Sequence, residues 1–175
     1  MKRYLASFFG IFLFLGFASS ASALLVDVDA KNNALNRTHL DTGIDVTSDD
    51  LLTMTAAEDD TWWAGGGPRE SNANGLGNPL GYDYGLYSYG GFAFSYGSLV
   101  GRIDGGDYFF VGTDFNHITS ETGRLYLMYW DSYSGDNSGD IKVAVNVNPV
   151  PEPATMFLLS AGLVGLVGLR KKIIK

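Results

Sequence analysis

The fold is decided by the stretch "GRLYLMYWDSYSGDNSGDIKVAVNVN", residues 123–148. Residues 141–148 alternate between branched apolar side chains and polar or small ones, and this period of two indicates a β-strand with one buried face. Residues 123–130 carry large apolar or aromatic side chains in both alternating sets, which indicates a strand in the middle of a sheet. The stretch therefore predicts two β-strands joined by a polar loop.

Strand-sized segments also occur in the preceding chain, separated by turns rich in Gly, Asp and Asn. They are "LLVDVDA" (24–30), "TGIDVTSDDLLTMTAAE" (42–58, read as strands at 44–46 and 51–55), "SLVGRI" (98–103) and "DYFFVGT" (107–113). No segment has the apolar period of a useful amphipathic helix. The sequence thus predicts an all-β body, an antiparallel β-sandwich or jelly roll.

One segment, residues 65–97, is dense in Gly and Tyr and is too long for an ordinary connection. Its aromatic side chains carry much apolar area, which argues against full disorder. Two interpretations remain open. The aromatic faces could stack on sugar rings, or they could simply cover the sandwich. The aromatic residues are Tyr82, Tyr84, Tyr87, Tyr89, Phe92, Phe94 and Tyr96.

The C-terminal segment has the composition of a membrane anchor. Residues 154–169 carry no charge, and as a helix they would be about 24 Å long, close to the hydrocarbon thickness of about 30 Å. Four cations follow at residues 170–175 and predict that this end is cytoplasmic. The sequence predicts a transmembrane helix at 154–169, and a buried core helix is the alternative.

The N-terminal segment has the three parts of a secretory signal peptide. Lys2 and Arg3 precede an apolar stretch, and residues 21–23 read Ala-Ser-Ala, a small-x-small cleavage site. We predict a signal peptide at 1–23 that signal peptidase removes, with an uncleaved anchor as the alternative. The signal peptide predicts that the body is translocated across the membrane, and the basic residues predict that the C-terminal tail stays in the cytoplasm. The two predictions describe the same topology. The remaining domain, residues 24–148, has the size of a single domain.

The body is strongly acidic. Six of the twelve cations and one of the nineteen acids lie in the two ends, so the body keeps 6 cations and 18 acids, a formal charge of −12. Such a field repels nucleic acid, which we exclude as a partner. The chain has no Cys, so disulfides, thiolate zinc sites and cysteine nucleophiles are also excluded.

The loop between the two best strands, "WDSYSGDNSGD", is the candidate metal site. Asp131 leaves the first strand, and Asp136 and Asn137 precede the second, so the loop brings their side chains together. Carboxylate, amide and carbonyl oxygens are the ligands of Ca²⁺. The loop lacks the glycine spacing of an EF-hand. Its alternative interpretation is an ordinary solvated turn.

An enzyme is not expected. His39 and His117 are each isolated in what reads as a polar loop and are expected to be surface residues, and no nucleophile elbow, zinc-protease motif or phosphate loop is present. The acids at residues 58–60 beside Trp62 and Trp63 lie in one chain segment, so they cannot flank a glycosidic bond from opposite sides. A solvated turn explains them better.

The last 26 residues resemble the PEP-CTERM sorting signal of bacteria. The motif Pro151, Glu152 and Pro153 precedes an apolar segment and a basic end, in the order and spacing of that family. The resemblance implies a sorting signal at 149–175, recognition by a membrane exosortase, and removal of the tail. It further implies transient residence in the inner membrane and then a place on the cell surface or in an extracellular polysaccharide matrix. An ordinary single-span anchor is the alternative.

The body resembles the PA-IL-type galactose-binding lectins in the segments "TGIDVTSDDLLTMTA", "TWWAGGGP", "GSLVGRIDGGDYFFVG" and "GRLYLMYWD…DNSGD", in that order. The resemblance implies a sandwich in which Ca²⁺ bridges two loops and coordinates sugar hydroxyls. The ligands it implies are the side chains of Asp131, Asp136 and Asn137 and the backbone carbonyls of Gly66 and Gly135. It also implies contacts to carbohydrate from Asp131, Asp136 and Trp63.

This chain departs from the lectin pattern in the sugar pocket. The loop 131–136 is shorter, Asp136 replaces an amide, and the pocket segment with its histidine is replaced by the Gly/Tyr-rich residues 65–97. Galactose specificity is therefore not implied. The sequence predicts an exported surface protein that binds carbohydrate through calcium, and the alternative is a structural surface or matrix protein with no specific ligand.

Overall fold

A computed structural model describes residues 23–149, 158–163 and 166. Within these residues the chain is almost entirely strand and turn, as the alternating sequence predicts. The strands are β1 (Leu24–Asp29), β2 (Leu40–Val46), β3 (Leu51–Ala56), β4 (Trp62–Ala64), β5 (Glu70–Ser71), β6 (Leu86–Tyr89), β7 (Phe92–Ser95), β8 (Ser98–Ile103), β9 (Tyr108–Phe110), β10 (Asp114–Ile118), β11 (Gly123–Trp130), β12 (Asn137–Ser138) and β13 (Asp140–Asn148).

Two four-stranded antiparallel sheets form the sandwich. The first sheet has the order β1-β13-β3-β10, and the second has the order β2-β11-β8-β9. Side chains of both sheets belong to one buried cluster, the main core, which includes Met54 and Val143 of the first sheet and Leu99 and Leu127 of the second. The antiparallel β-sandwich predicted from the sequence is confirmed.

The strands predicted at 141–148 and 123–130 are present as β13 and β11, and their burial follows the predicted pattern. In β13, Ile141, Val143 and Val145 are buried, while the alternate residues are exposed or half-buried. Strand β11 lies between β2 and β8, and its residues 127–130 are buried on both faces, because the main core covers one face and the second hydrophobic cluster covers the other. Its residues Leu125, Leu127 and Tyr129 join the main core. Met128 and Trp130 point to the other side of the second sheet and form a separate cluster.

The segment at 42–58 contains both predicted strands, β2 and β3, but they belong to different sheets. The turn at residues 47–50 therefore carries the chain from one layer to the other. Asp50 accepts a hydrogen bond from the Thr47 amide at 2.7 Å, and Asp49 has a φ of 75° in the left-handed region. Strand β10 and the short strands β4–β7 and β12 were not predicted, and His117 lies in β10 rather than in a loop.

The Gly/Tyr-rich segment folds into the hairpin β6–β7 and covers the outer face of the second sheet. Tyr87, Phe92 and Phe94 pack against the second cluster, whose centre is Trp130. The Trp130 Nε1–H donates to the Tyr87 carbonyl at 2.8 Å. For this part of the segment the covering interpretation is confirmed. Tyr82 and Tyr84, which precede the hairpin, are exposed.

Both hydrophobic clusters consist of residues between Val26 and Val147. Residues 24–149 therefore contain both hydrophobic clusters of the part of the chain that the structure describes. Apolar burial is the main favourable term in folding, so we expect this fragment, called the body below, to fold on its own.

The C-terminal segment is helical at residues 158–163 and 166, and its leucines are exposed: Leu158, Leu159, Leu163 and Leu166. Among the described residues, no helix has the length and apolar character needed to cross a bilayer. The other residues of the predicted span, the signal peptide at 1–22 and the motif at Pro151, Glu152 and Pro153 lie outside the described residues.

Candidate functional site

A small third sheet brings two loops of the body together. Its order is β12-β4-β5, and Asn137 pairs with Ala64. The loop 131–136, which precedes β12, therefore lies beside the turn 65–69, which joins β4 to β5. Gly65 has a φ of +84°, and a Cβ at this position would collide with the Asp136 carboxylate. A glycine is required at position 65, because only a residue without a side chain readily adopts this left-handed backbone conformation and lets the Asp136 carboxylate lie this close.

Asp131 directly follows β11 and is only 6% exposed. One of its carboxylate oxygens, Oδ1, accepts a hydrogen bond from the Tyr133 amide at 3.4 Å. Burial raises the pKa of Asp131, and the nearby charge of Asp136 acts in the same direction, while hydrogen-bond donors around it act against this shift. A buried carboxylate of this kind is costly when ionised unless a positive charge compensates it.

Asn137 lies at the start of β12 and is 3% exposed. Its Nδ2–H donates to the Ala30 carbonyl at 3.1 Å, which fixes the orientation of the amide. Its Oδ1 is buried and has no hydrogen-bond partner among the described residues. An unsatisfied buried acceptor costs about 1–3 kcal/mol, so this oxygen is suited to a bound donor or cation.

Asp136 is partly exposed and faces Arg69 across the two loops. The Arg69 Nη1 lies 3.9 Å from Asp136 Oδ2, and the same nitrogen donates to the Ala64 carbonyl at 3.3 Å. The guanidinium carbon lies 5.2 Å from the centre of the Tyr84 ring. The neighbouring Tyr84 side chain is the largest cause of the raised pKa of Arg69, and the carboxylates of Asp136 and Asp131 act in the same direction. Arg69 is thus a charged group at this site.

These residues surround an open cavity of about 330 Å³. This volume is at the lower end of the range for small-molecule sites. Its walls combine charged groups with the flat faces of tyrosines. The lining residues are Ala64, Arg69, Leu76, Tyr84, Tyr96, Asp131, Ser132, Tyr133 and Asp136. Such a combination can bind a polar ligand that also has an apolar face.

The oxygen donors at this site are of the types that suit Ca²⁺. Two carboxylates, from Asp131 and Asp136, line the cavity, and calcium takes six to eight oxygens of this kind. The Asn137 side chain contacts Asp131 and has a buried Oδ1 that is unpartnered within the described part of the chain, but Asn137 is not one of the lining residues. Among the described residues, no cluster of three or more His, Cys, Asp or Glu side chains could hold a metal. A calcium ion would therefore also need amide, backbone carbonyl and water oxygens.

The two glycines predicted as carbonyl ligands lie in the expected segments. Gly66 is exposed in the turn between β4 and β5, and Gly135 is half-buried beside the Tyr133 ring. The role of their carbonyls in ion binding stays a prediction. Trp63 is 36% exposed and lies on the face of β4 opposite to Trp62 and Ala64. The structure does not bring Trp63 to the cavity that Ala64 lines, and its contact to carbohydrate is likewise untested.

Of the nine residues that line the cavity, only Asp131 and Asp136 were predicted as site residues from the sequence. Among the others, Tyr84 belongs to the aromatic series of the Gly/Tyr-rich segment, so composition identified it only as one of seven aromatic residues. Arg69 is the sole cation in residues 65–97, and that isolation is the signal that could have identified it. The Tyr82 amide donates to the Pro68 carbonyl at 2.9 Å and so holds the segment of Tyr84 beside Arg69, a contact that the sequence does not reveal.

Comparison with known proteins finds separate similarities for the C-terminal segment and for the body. The PEP-CTERM protein-sorting motif matches residues 149–172. A search of curated protein sequences finds no match. Among solved structures, "EclA N-terminal domain; PllA-like lectin" is similar with a TM-score of 0.53 and 21% identity, over 73% of this chain and 98% of that one. The chain therefore combines a body that has the fold of a PllA-like lectin with a C-terminal PEP-CTERM protein-sorting motif.

Proposed function

We propose that this protein is an exported surface or matrix protein whose body binds carbohydrate, with calcium, in the cavity between loop 131–136 and turn 65–69. The observation that carries the proposal is the buried carboxylate of Asp131, which lines an open cavity with tyrosine walls. Its side-chain neighbour Asn137 has a buried Oδ1 without a hydrogen-bond partner among the described residues. The similar solved structure is named a lectin, which supports a binding role for this fold.

Each group of residues has a separate role in this proposal. Asp131, Asp136 and Asn137 would hold the ion, and Ca²⁺ supplies a positive centre that attracts sugar hydroxyl oxygens. The carboxylate oxygens that remain free accept hydrogen bonds from those hydroxyls, and such charge-assisted bonds are the stronger ones. Tyr84 and Tyr133 offer exposed ring faces against which the apolar face of a sugar packs.

The first test is binding of the body to a saccharide panel in millimolar Ca²⁺ and in chelator. We expect binding to at least one saccharide in calcium and its loss in chelator. No binding to any saccharide would favour the alternative, a structural surface protein that keeps the fold without a ligand. Turnover of a polysaccharide would contradict our proposal that the protein is a binding protein and not an enzyme.

Tyr84→Ala is expected to weaken saccharide binding by about three- to tenfold, because a stacking face worth about 0.5–1.5 kcal/mol is removed. Tyr89→Ala is the matched control, since Tyr84 is 42% exposed and Tyr89 is 49% exposed but lies outside the cavity. Calorimetric titration with the best saccharide of the panel measures both variants. Equal losses of saccharide affinity in the two variants would show that the saccharide binds outside this cavity.

The sorting motif supports a second part of the proposal. We propose that an exosortase recognises Pro151, Glu152 and Pro153, that residues 154–169 span the inner membrane transiently, and that the tail is then removed. The match to the sorting motif at 149–172 supports this, as do the exposed leucines of the helical residues 158–163 and 166. Proline fixes its own φ and disfavours helix at the residue before it, so a Pro-Glu-Pro sequence is suited to presenting its carboxylate to an enzyme.

Glu152→Gln is expected to leave the C-terminal tail on the protein, because the charged group of the motif is lost. Mass spectrometry of the protein recovered from cells that contain an exosortase measures the C-terminus. Glu58→Gln, an exposed glutamate of the body, is the control and should be processed normally. A Glu152→Gln protein with the same C-terminus as the unmodified protein would contradict the proposed recognition.

A further inference from the structure

Arg69 is the feature of the cavity that calcium binding alone does not explain. It is the one cation among the residues that line the cavity, and the two carboxylates Asp131 and Asp136 line it too. Its contact with Asp136 is 3.9 Å, longer than the 2.7–2.9 Å of a charge-assisted hydrogen bond, so the pair is loose. The guanidinium is held instead by the Tyr84 ring and the Ala64 carbonyl.

The charge of the cavity depends on calcium. Two carboxylates and one guanidinium give the lining a formal charge of −1 without metal, and one Ca²⁺ changes this to +1. The body carries a formal charge of −12, so the calcium-loaded cavity becomes a positive centre on an acidic surface. A cleft lined by charge of one sign raises the local concentration of ligands that carry the opposite charge. The loaded cavity therefore favours an anionic ligand.

We propose that Arg69 selects saccharides that carry a carboxylate, so that the ligand class of this cavity is the uronic acids; this rests on the proposed function. The planar guanidinium presents a pair of N–H donors that matches a carboxylate, whereas a neutral hydroxymethyl group uses only one of them. Once calcium neutralises Asp136, its attraction for Arg69 is reduced and the guanidinium binds the sugar carboxylate. Tyr84 keeps the guanidinium at the edge of the cavity.

The test compares methyl glucuronide with methyl glucoside, which differ in the carboxylate, by calorimetric titration of the body in saturating Ca²⁺. We expect the glucuronide to bind at least tenfold more tightly, because a hydrogen bond to a charged group contributes about 1.5–3 kcal/mol. Acetate should compete with the glucuronide, which would show that the carboxylate is the recognised group. Arg69→Gln should remove the preference, and Arg69→Lys should retain part of it.

A second measurement distinguishes a selective role for Arg69 from a structural one. Titration with Ca²⁺ alone should show that Arg69→Gln raises the calcium affinity, because a cation that faces the proposed ligand Asp136 is removed. The same variant lowers glucuronide affinity, so the two effects have opposite signs. Arg124→Gln is the control, since Arg124 pairs with Asp41 and Asp45 away from the cavity.

The outcomes separate this inference from the proposed function. Equal calcium-dependent affinities for the two saccharides would overturn the inference and leave the proposed function standing. Binding of calcium without binding of either saccharide would overturn the inference, and the absence of binding to every saccharide of the panel as well would overturn both. A loss of calcium affinity and of saccharide affinity together in Arg69→Gln would show that Arg69 supports the structure of the turn, and it would overturn the assignment of selectivity to this residue.

Discussion

Trp130→Ala is expected to lower the free energy of unfolding of the body by about 3–5 kcal/mol, the range for truncating a buried aromatic side chain to alanine. Trp130 is 0% exposed, and its ring contacts Tyr87, Phe94 and Tyr108. The substitution removes this packing and also the hydrogen bond to the Tyr87 carbonyl. The hairpin β6–β7 would then lose its main contact with the second sheet.

Urea unfolding followed by tryptophan fluorescence measures this loss. Trp63→Ala is the matched control, because it removes the same side chain from a position that is 36% exposed. We expect a loss of about 1 kcal/mol or less for the control, as for most substitutions outside a core. Similar losses in the two variants would show that the hairpin does not depend on Trp130.

Asp131→Asn is expected to abolish stabilisation of the body by calcium. For the unmodified body, Ca²⁺ at a hundred times its dissociation constant adds about 2.7 kcal/mol, which raises the melting temperature by about 10 °C. Asp131 supplies the buried carboxylate of the site, and an amide contributes no charge to the ion. Thermal unfolding in millimolar Ca²⁺ and in chelator measures the effect.

In chelator the same substitution is expected to act in the opposite direction. Burial raises the pKa of Asp131, so its ionised form destabilises the folded body when no cation is bound. Asparagine removes this charge, while its Oδ1 can still accept the Tyr133 N–H. The variant should therefore melt at the same temperature as the unmodified body, or at a higher one.

Asp114→Asn is the control, because Asp114 is an exposed carboxylate in β10, and it should change neither the calcium response nor the melting temperature in chelator. A calcium response retained in Asp131→Asn would contradict the proposed site.

The sandwich could be predicted because two of its central strands, β11 and β13, have sequence patterns that are typical of buried and half-buried strands. In β13 a period of two separates buried from exposed residues, and in β11 the aromatic and apolar residues of both faces indicate burial on both sides. The partner of each strand was not predictable. β2 and β3 are adjacent in sequence but lie in different sheets, because the turn at 47–50 carries the chain across the layers.

The candidate site could be predicted only in part, for a related reason. Asp131 and Asp136 are separated by a short loop, so their proximity follows from sequence. Arg69 lies in the turn that joins β4 to β5, and the pairing of β4 with β12 places that turn beside loop 131–136. Tyr84 follows Tyr82, whose amide donates to the Pro68 carbonyl of the same turn. Strands β4, β5 and β12 have two or three residues, too few to show a period. The hairpin β6–β7 was not predicted, because its two four-residue strands lie within a segment dense in Gly and Tyr that reads as one long loop.

The central claim is that calcium and carbohydrate bind at one shared site, and the most direct test is the coupling between them. Calcium affinity of the body should be titrated with and without the best saccharide, and saccharide affinity with and without calcium. The account predicts that each ligand raises the affinity for the other by the same factor, as linkage requires. Calcium and saccharide that bind with no mutual effect, or a body that binds neither, would contradict it.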